Sequence, residues 1–422
     1  MLKKLVAIFL SGLILVGVSG CSAADKDKIQ SDNLMDKVSV SDDNVTGLEP
    51  DEAFQEATAD FAVELLKHTD IENGNTLISP ASIMFALGMT ANGAKDDTLE
   101  AFEEVLGAGT DIELINQYYK KYADTILSSK EGAKLSVANS IWIRNMQNFE
   151  VNEDFLNNNA FYYKSAVYKA EFDSSTVEDV NKWVNDNTDG MIDKIIEKFN
   201  GNEVMMLINA IAFDAEWADA YEENQVRDIE FTKASGTTQT VKGMFSSEMT
   251  YLEDENTTGF IKAYKNGYSF VALLPEEGLS IEEYVNSLTG EKIQKLINGR
   301  ENTEVKTMIP KFTYEYSISF KDGLSDMGLE SAFESGADFS GMLTEDTNMD
   351  LCIADVVHKT YIEMAEKGTK AGAATAVIME ENDAIILEEY KEVYLNRPFV
   401  YMIIDDELNT PIFIGTVSEI VG

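Results

Sequence analysis

The sequence predicts one mixed α+β domain, helix-rich in its first half and strand-rich in its second. Three observations carry this. Apolar residues recur at helical spacing between 51 and 128. From 204 onward they gather instead in short continuous or alternating runs. No break in composition and no internal repeat divides 51–422, so this stretch reads as one large domain.

The elements follow in order. Phe54, Ala57, Phe61 and Leu65 mark a helix over 51–69. A second helix opens after Asn75-Thr-Leu-Ile-Ser79, with Ser79 as N-cap and Pro80 at the first helical position. Helical patterns continue at 96–106 and 111–128. Strands are expected at 135–143 and 166–172. Between 177 and 199 the pattern gives a helix, a break at Gly190 and a further amphipathic turn. The run 204–213 is apolar throughout, as in a strand buried on both faces. Short strands alternate with turns over 226–275, helices return at 280–299, and strands at 303–318. A short helix at 320–328 precedes strands at 351–365 and 393–417.

The first twenty residues read as a targeting segment: Lys3 and Lys4, an apolar run from Leu5 to Val18, then small residues. Val18-Ser-Gly-Cys21 resembles the bacterial lipobox, in which the peptide is cut before the cysteine and its thiol is lipidated. An ordinary secretory signal or an uncleaved anchor is the alternative. Residues 21–50, rich in Ser, Asp, Lys and Asn, read as a flexible polar tether. The organisation expected is therefore signal 1–20, tether 21–50 and domain 51–422, held by Cys21 on the extracellular face of a bacterial membrane, or secreted.

The net charge of −42 argues against nucleic acid, and against any polyanion such as heparin, as a partner. The same charge favours solubility. The chain has two cysteines. With Cys21 assigned to the signal, Cys352 is left alone in an apolar run, and a lone cysteine is more often a small core residue than a nucleophile.

Enzyme signatures are missing. The two histidines, His68 and His358, are the only candidates for the base of a Ser-His or Cys-His site. There is no G-x-S-x-G elbow, no H-E-x-x-H or paired-cysteine zinc pattern, and no Walker or dinucleotide glycine pattern. Asn185-Asp-Asn-Thr-Asp-Gly190 is faintly like a calcium loop, but Ile196 stands where the closing Glu belongs. No cofactor and no metal are expected.

The most distinctive stretch is Glu366-Lys-Gly-Thr-Lys-Ala-Gly-Ala-Ala-Thr-Ala376, in which every side chain after Lys370 is small. An Ala-rich helix or a flexible linker is the ordinary reading. A period of two does better. Thr369, Ala371, Ala373 and Thr375 then share one face of a strand, with Lys370, Gly372, Ala374 and Ala376 on the other. The apolar and acidic run 377–387 follows, without Gly or Pro, and could offer a protease a substrate-like strand.

With these pieces in place, the chain resembles the serpins over essentially all of 51–422. The resemblance rests on Asn75–Ile83, Val137–Trp142, Asn181–Gly190, Asn209–Phe213 with Trp217, Ile309–Phe312, Ala337–Gly341, Val357–Lys359 leading to Glu366–Thr369, and Asn396–Phe399 with Phe413–Val417, in that order. It implies a large central sheet, two smaller sheets, about nine helices and an exposed reactive loop. It also implies a suicide-substrate inhibitor that is not itself an enzyme. A serine protease, or sometimes a cysteine protease, attacks the loop, and the cut loop inserts into the central sheet with the protease covalently attached, one to one. The inhibitor is expected as a monomer.

Carried onto this sequence, the resemblance makes Glu366, Gly368, Thr369, Ala371, Ala373, Ala374 and Thr375 the loop hinge. Gly372 stands where the family usually has Ala. Ser79, Ser82, Asn209 and His358 match the family's shutter, the polar cluster where the sheet parts, and Trp217 matches the breach at the top of the opening. Counting sixteen residues on from Glu366 places the reactive bond at Asn382–Asp383, with Met379, Glu380, Glu381 and Ala384 as alternatives. About seventeen residues at about 3.3 Å each span about 55 Å, roughly the length of such a molecule. Neither Arg nor Lys occurs between Lys370 and Lys391, which argues against trypsin-like targets. The rival readings are a non-inhibitory binding or structural protein of the same fold on the cell surface, and a secreted hydrolase built on one of the two histidines.

Overall fold

The computed structural model describes residues 28–38, 47–128, 131–147, 149–265, 267–344, 347, 350–369 and 391–421. The chain opens with β1 (Asp32–Asn33) and α1 (Glu52–Lys67). The Asp51 carboxylate caps α1 by accepting from the Phe54 N–H at 2.9 Å. After β2 (Thr76–Ile78) comes α2 (Pro80–Ala91), buried on every face. Ser79 is its N-cap and Pro80 sits at its start, as the sequence predicts. A helix apolar all round belongs inside a protein, and α2 runs under the sheets. Then come α3 (Asp96–Gly107), α4 (Ile112–Ile126), β3 (Ala133–Arg144), α5 (Glu153–Asn158), β4 (Ala166–Ala170), α6 (Ser174–Asn187) and β5 (Met205–Glu216).

The second half continues with β6 (Val226–Thr232), β7 (Thr238–Glu248), β8 (Tyr251–Glu253), β9 (Thr257–Ala263) and β10 (Tyr268–Pro275). Helices α7 (Ile281–Asn286) and α8 (Gly290–Asn298) lead to β11 (Val305–Pro310) and β12 (Phe312–Ser319). Short turns α9 (Lys321–Leu324) and α10 (Glu330–Phe333) precede β13 (Ile353–Ala365) and β14 (Gly368–Thr369). The described chain ends with β15 (Lys391–Tyr394), β16 (Phe399–Asp405) and β17 (Pro411–Val417). Among the described residues eight α-helices have six or more residues, close to the nine expected.

Three sheets result, one large and two smaller. The seven-stranded sheet runs β1-β4-β3-β5-β14-β13-β12, the six-stranded sheet β2-β17-β16-β10-β9-β8, and the four-stranded sheet β15-β11-β7-β6. Strand β5 lies at the centre and is buried on both faces, because alternate residues enter different cores. Met206, Ile208 and Ala210 join Trp142, Tyr168 and Trp183 beneath α6. Leu207, Ile211 and Phe213 join the main core with Leu77, Phe270 and Phe413.

Two places differ from the expectation. Residues 191–199 form no helical turn. Met191, Ile192, Ile195 and Ile196 are buried, and Asn181 serves their backbone instead. Its Oδ1 accepts from the N–H groups of Ile195 (2.8 Å) and Ile196 (3.2 Å), and its Nδ2 donates to Ile196 O (2.8 Å).

The second difference lies in the stretch read as a polar tether. Strand β1 pairs antiparallel with β4, Asp32 opposite Lys169 and Asn33 opposite Tyr168. The buried Asp179 of α6 accepts from Gln30 N (2.9 Å), Ser31 N (2.7 Å) and Ser31 Oγ (2.7 Å), while Ile29 packs on the core beneath α6. One carboxylate thus organises a segment whose composition alone reads as solvated chain. Hydrogen bonds to a charged group are each worth about 1.5–3 kcal/mol. Asp179→Ala is therefore expected to release residues 28–38, seen as amide exchange at 30–33 at least about tenfold faster by mass spectrometry.

Candidate functional site: the opening between two central strands

The site begins where β5 and β13 part. The two run parallel from Met205–Ile353 to Ala212–Tyr361. Beyond that point β14 lies between them. Thr369 pairs with Met364 of β13 and Ala215 of β5, and Gly368 pairs with Ala365 and Glu216, both ladders antiparallel. The first two residues of a new strand therefore already occupy the gap.

The turn joining β13 to β14 is held from outside. Trp217 donates its backbone N–H to Lys367 O (2.9 Å) and its indole N–H to Ala365 O (3.0 Å). The Tyr221 N–H donates to Glu366 O (2.8 Å). The Glu366 carboxylate pairs with Lys311 at 2.7 Å. Burial works against that carboxylate, but the Lys311 hydrogen bond, a backbone N–H and the Lys311 charge together outweigh it and keep the acid below its ordinary range.

Thr369 is fully buried, and its hydroxyl shares a 2.6 Å hydrogen bond with the Tyr264 hydroxyl. The Tyr264 ring in turn stacks on Trp217, centroids 4.2 Å apart. Gly368 is fixed twice over. Its φ of +148° is a conformation that L side chains rarely adopt, and a Cβ there would lie 1.9 Å from the Ala215 carbonyl oxygen.

Below the opening lies a polar cluster on the α2 side of the sheet. Asn139, Asn209 and His358 stand in register on β3, β5 and β13. His358 Nε2 accepts from the Ser79 N–H at 3.0 Å, so Nδ1 carries the ring proton and donates to Asn209 Oδ1. Asn209 Nδ2 donates to Asn139 Oδ1 (2.5 Å) and Ser82 Oγ (2.6 Å). Ser82 Oγ donates to Asn139 Oδ1 (3.0 Å), and Asn139 Nδ2 donates to Ser82 O (3.1 Å). Ser79 Oγ donates to Ile412 O (2.7 Å) and accepts from the Ser82 N–H (3.3 Å). Both ring nitrogens of His358 are thus engaged in a fully buried site, and burial pushes the imidazole down to about 3.

The structure thus brings Ser79, Ser82, Asn209 and His358 into one cluster, and Glu366, Gly368, Thr369 and Trp217 into another. Ala371, Ala373, Ala374, Thr375, Asn382, Asp383 and Cys21 lie outside the described residues. Sequence reasoning missed Asn139, Tyr221, Tyr264 and Lys311. Asn139 and Lys311 lie inside the motifs Val137–Trp142 and Ile309–Phe312, but nothing there gave them a role. Tyr221 and Tyr264 left no trace, because their partners lie at least forty residues away.

This architecture, three sheets with a gap in the largest and a hinge strand entering it, is that of the serpins. Residues 56–420 match the family described as Serpin (serine protease inhibitor), and the chain belongs to that family. An uncharacterized serpin-like protein of Thermococcus kodakarensis is 29% identical over 361 residues, covering 84% of this chain and 83% of that protein. Human Serpin I2 is 25% identical over 379 residues, covering 85% of this chain and 90% of its own. Among solved structures, the thermophilic serpin tengpin in its native state has a TM-score of 0.87 at 46% identity, covering 93% of this chain and 100% of tengpin. Tengpin in its latent state gives 0.77 at 42% identity, with 89% and 100% covered.

The histidine carries a pH dependence. Its ordinary value is 6.5 and its folded value about 3, so between these limits the unfolded chain binds the extra proton. The contribution to stability is complete above pH 6.5 and is lost as pH falls toward 3. Between pH 7.5 and 5.5 it amounts to about 1.4 kcal/mol. Urea unfolding at these two pH values is expected to show that loss in the parent protein and a smaller one in His358→Gln, where no imidazole titrates.

Proposed function

We propose that this serpin is an inhibitory member, a suicide substrate for a serine or cysteine protease. The observation that supports this best is β14. It already forms antiparallel ladders with both β5 and β13, and after Lys370 the side chains from Ala371 to Ala376 are all small. Further insertion exchanges one parallel ladder for two antiparallel ones. Antiparallel pairing is slightly the more stable per residue, and the number of ladders doubles. The loop therefore has a downhill route into the sheet once cleavage frees its far end.

The chemistry follows from that route. The protease nucleophile attacks the Asn382 carbonyl, forms an acyl bond to it and releases the amino group of Asp383. The chain from Lys370 to Asn382 then enters between β5 and β13. The enzyme is carried with it, and its catalytic geometry is lost before water reaches the acyl bond. By the two-residue period of a strand, Ala371, Ala373 and Thr375 would enter on the face of Thr369, which is fully buried. With neither Arg nor Lys between Lys370 and Lys391, the targets are elastase-like enzymes or enzymes that accept Asn, Asp or Glu.

The protein's own part is bait and trap, with no turnover. His358 is unavailable as a base, since both its nitrogens are hydrogen-bonded within the core. The product is a covalent one-to-one complex of a monomeric inhibitor, formed without cofactor, nucleic acid or heparin-like helper. Cys21 carries a lipid, so that trapping occurs on the outer face of a bacterial membrane.

Nicking the loop with an arbitrary protease, with the cut mapped by mass spectrometry, is expected to raise the unfolding temperature by roughly 10 °C or more. An unchanged temperature assigns the chain to the non-inhibitory members of the fold. Thr369→Arg places a cation where a fully buried hydroxyl now bonds Tyr264. This variant is expected to be cleaved at the parent rate but to yield at least about tenfold less covalent complex on a denaturing gel.

A further inference from the structure

The turn at 365–367 is held by two residues, Trp217 and Tyr221, neither of which lies in one of the strands or helices defined above. Their positions depend on what fixes their rings. Tyr264 stacks on Trp217. The other contact is a cation. Lys262 of β9 is 2% exposed, and its Nζ lies 4.6 Å from the Tyr221 ring centre and 5.4 Å from that of Trp217. Its charge is met at 2.8 Å by Glu248, whose Oε1 also accepts from Ser246 Oγ at 2.7 Å. A desolvated ammonium over aromatic faces is a strong contact, and a buried charge with one carboxylate partner is not free to wander.

From this geometry we propose that Lys262 is a positioning residue for loop insertion, bracing Tyr221 and Trp217 so that the turn between β13 and β14 keeps its hairpin shape. The proposal rests on the inhibitory reading above. Four layers are in line: Glu248 fixes Lys262, Lys262 fixes the two rings, and the residues bearing those rings hold the carbonyls of 365, 366 and 367. A preformed turn lets the freed loop add residue by residue from β14, so insertion starts without delay. Insertion competes with hydrolysis of the acyl bond, and a loosened turn shifts that competition toward hydrolysis. Lys262 itself is buried away from the surface and takes no part in cutting the loop.

The test uses the full chain and a broad-specificity subtilisin-type serine protease, reading covalent complex against cleaved inhibitor on denaturing gels. Lys262→Met alone leaves Glu248 without its cation, so the main variant is Lys262→Met with Glu248→Gln, which removes both charges together. Loss of the brace is expected to raise the ratio of cleaved to trapped inhibitor about fivefold while the rate of loop cleavage stays that of the parent. Lys262→Arg keeps a cation over the rings and is expected to return the ratio to within about twofold of the parent. A double variant that traps as well as the parent overturns the role of Lys262 alone. If the parent is cut in its loop with neither covalent complex nor gain in thermal stability, the inhibitory reading falls, and the role of Lys262 with it.

Discussion

Eight register pairs between β5 and β13, from Met205–Ile353 to Ala212–Tyr361, hold the centre of the large sheet in a parallel arrangement. The inhibitory reading proposed above depends on how that pairing begins and ends. Parallel ladders have slanted hydrogen bonds and are slightly weaker than antiparallel ones. Each of these strands also offers its backbone to a chain segment running the other way, and β14 shows that the segment following β13 has that direction. Under the inhibitory reading, the sheet is thus one strand short of its best pairing. The sequence of that strand is attached to the sheet by a single turn.

The polar cluster under the parallel pair works in the opposite sense. Asn139, Asn209 and His358 come from three adjacent strands, and Ser79 and Ser82 from the start of α2. Their hydrogen bonds are made only when all four elements keep their present spacing. Parting β5 from β13 separates Asn209 from His358 and leaves buried polar atoms without partners until new ones form, which is costly in a site closed to water. The cluster therefore resists parting of β5 from β13 on the α2 side, while on the proposed reading β14 favours it from the other end. The neutral imidazole suits this duty, since one ring nitrogen donates and the other accepts.

How much of this the sequence disclosed varied by residue. Ser79-Pro80 marked the start of α2 because capping is local chemistry, and the apolar run at 204–213 marked β5 because burial on both faces leaves no polar gaps. The small-residue run after Lys370 stood out, yet only the resemblance to the serpins made it a hinge rather than a helix or linker. Residues 30–33 read as tether because their partner, Asp179, lies about 150 positions away. Nothing in the sequence singled out Lys262. Its parity with Phe260 and Tyr264 did place it on the inward face of β9, so a strict period-2 reading carried the information. What hid it is that lysines ordinarily face water, which fails where a half-buried carboxylate such as Glu248 meets the charge.

The contact between Gly368 and the Ala215 carbonyl sets a boundary for engineering. Glycine alone lacks a Cβ, so every missense change at this codon meets the same backbone atom 1.9 Å away. The exclusion is geometric and independent of any partner of the chain. Under the inhibitory reading proposed above, loop grafts must be joined beyond Thr369, with Gly368 and Thr369 kept from the parent and small residues kept at 371, 373 and 375. Any swap that imports its own hinge replaces the most tightly specified dipeptide of the opening with one shaped for another sheet.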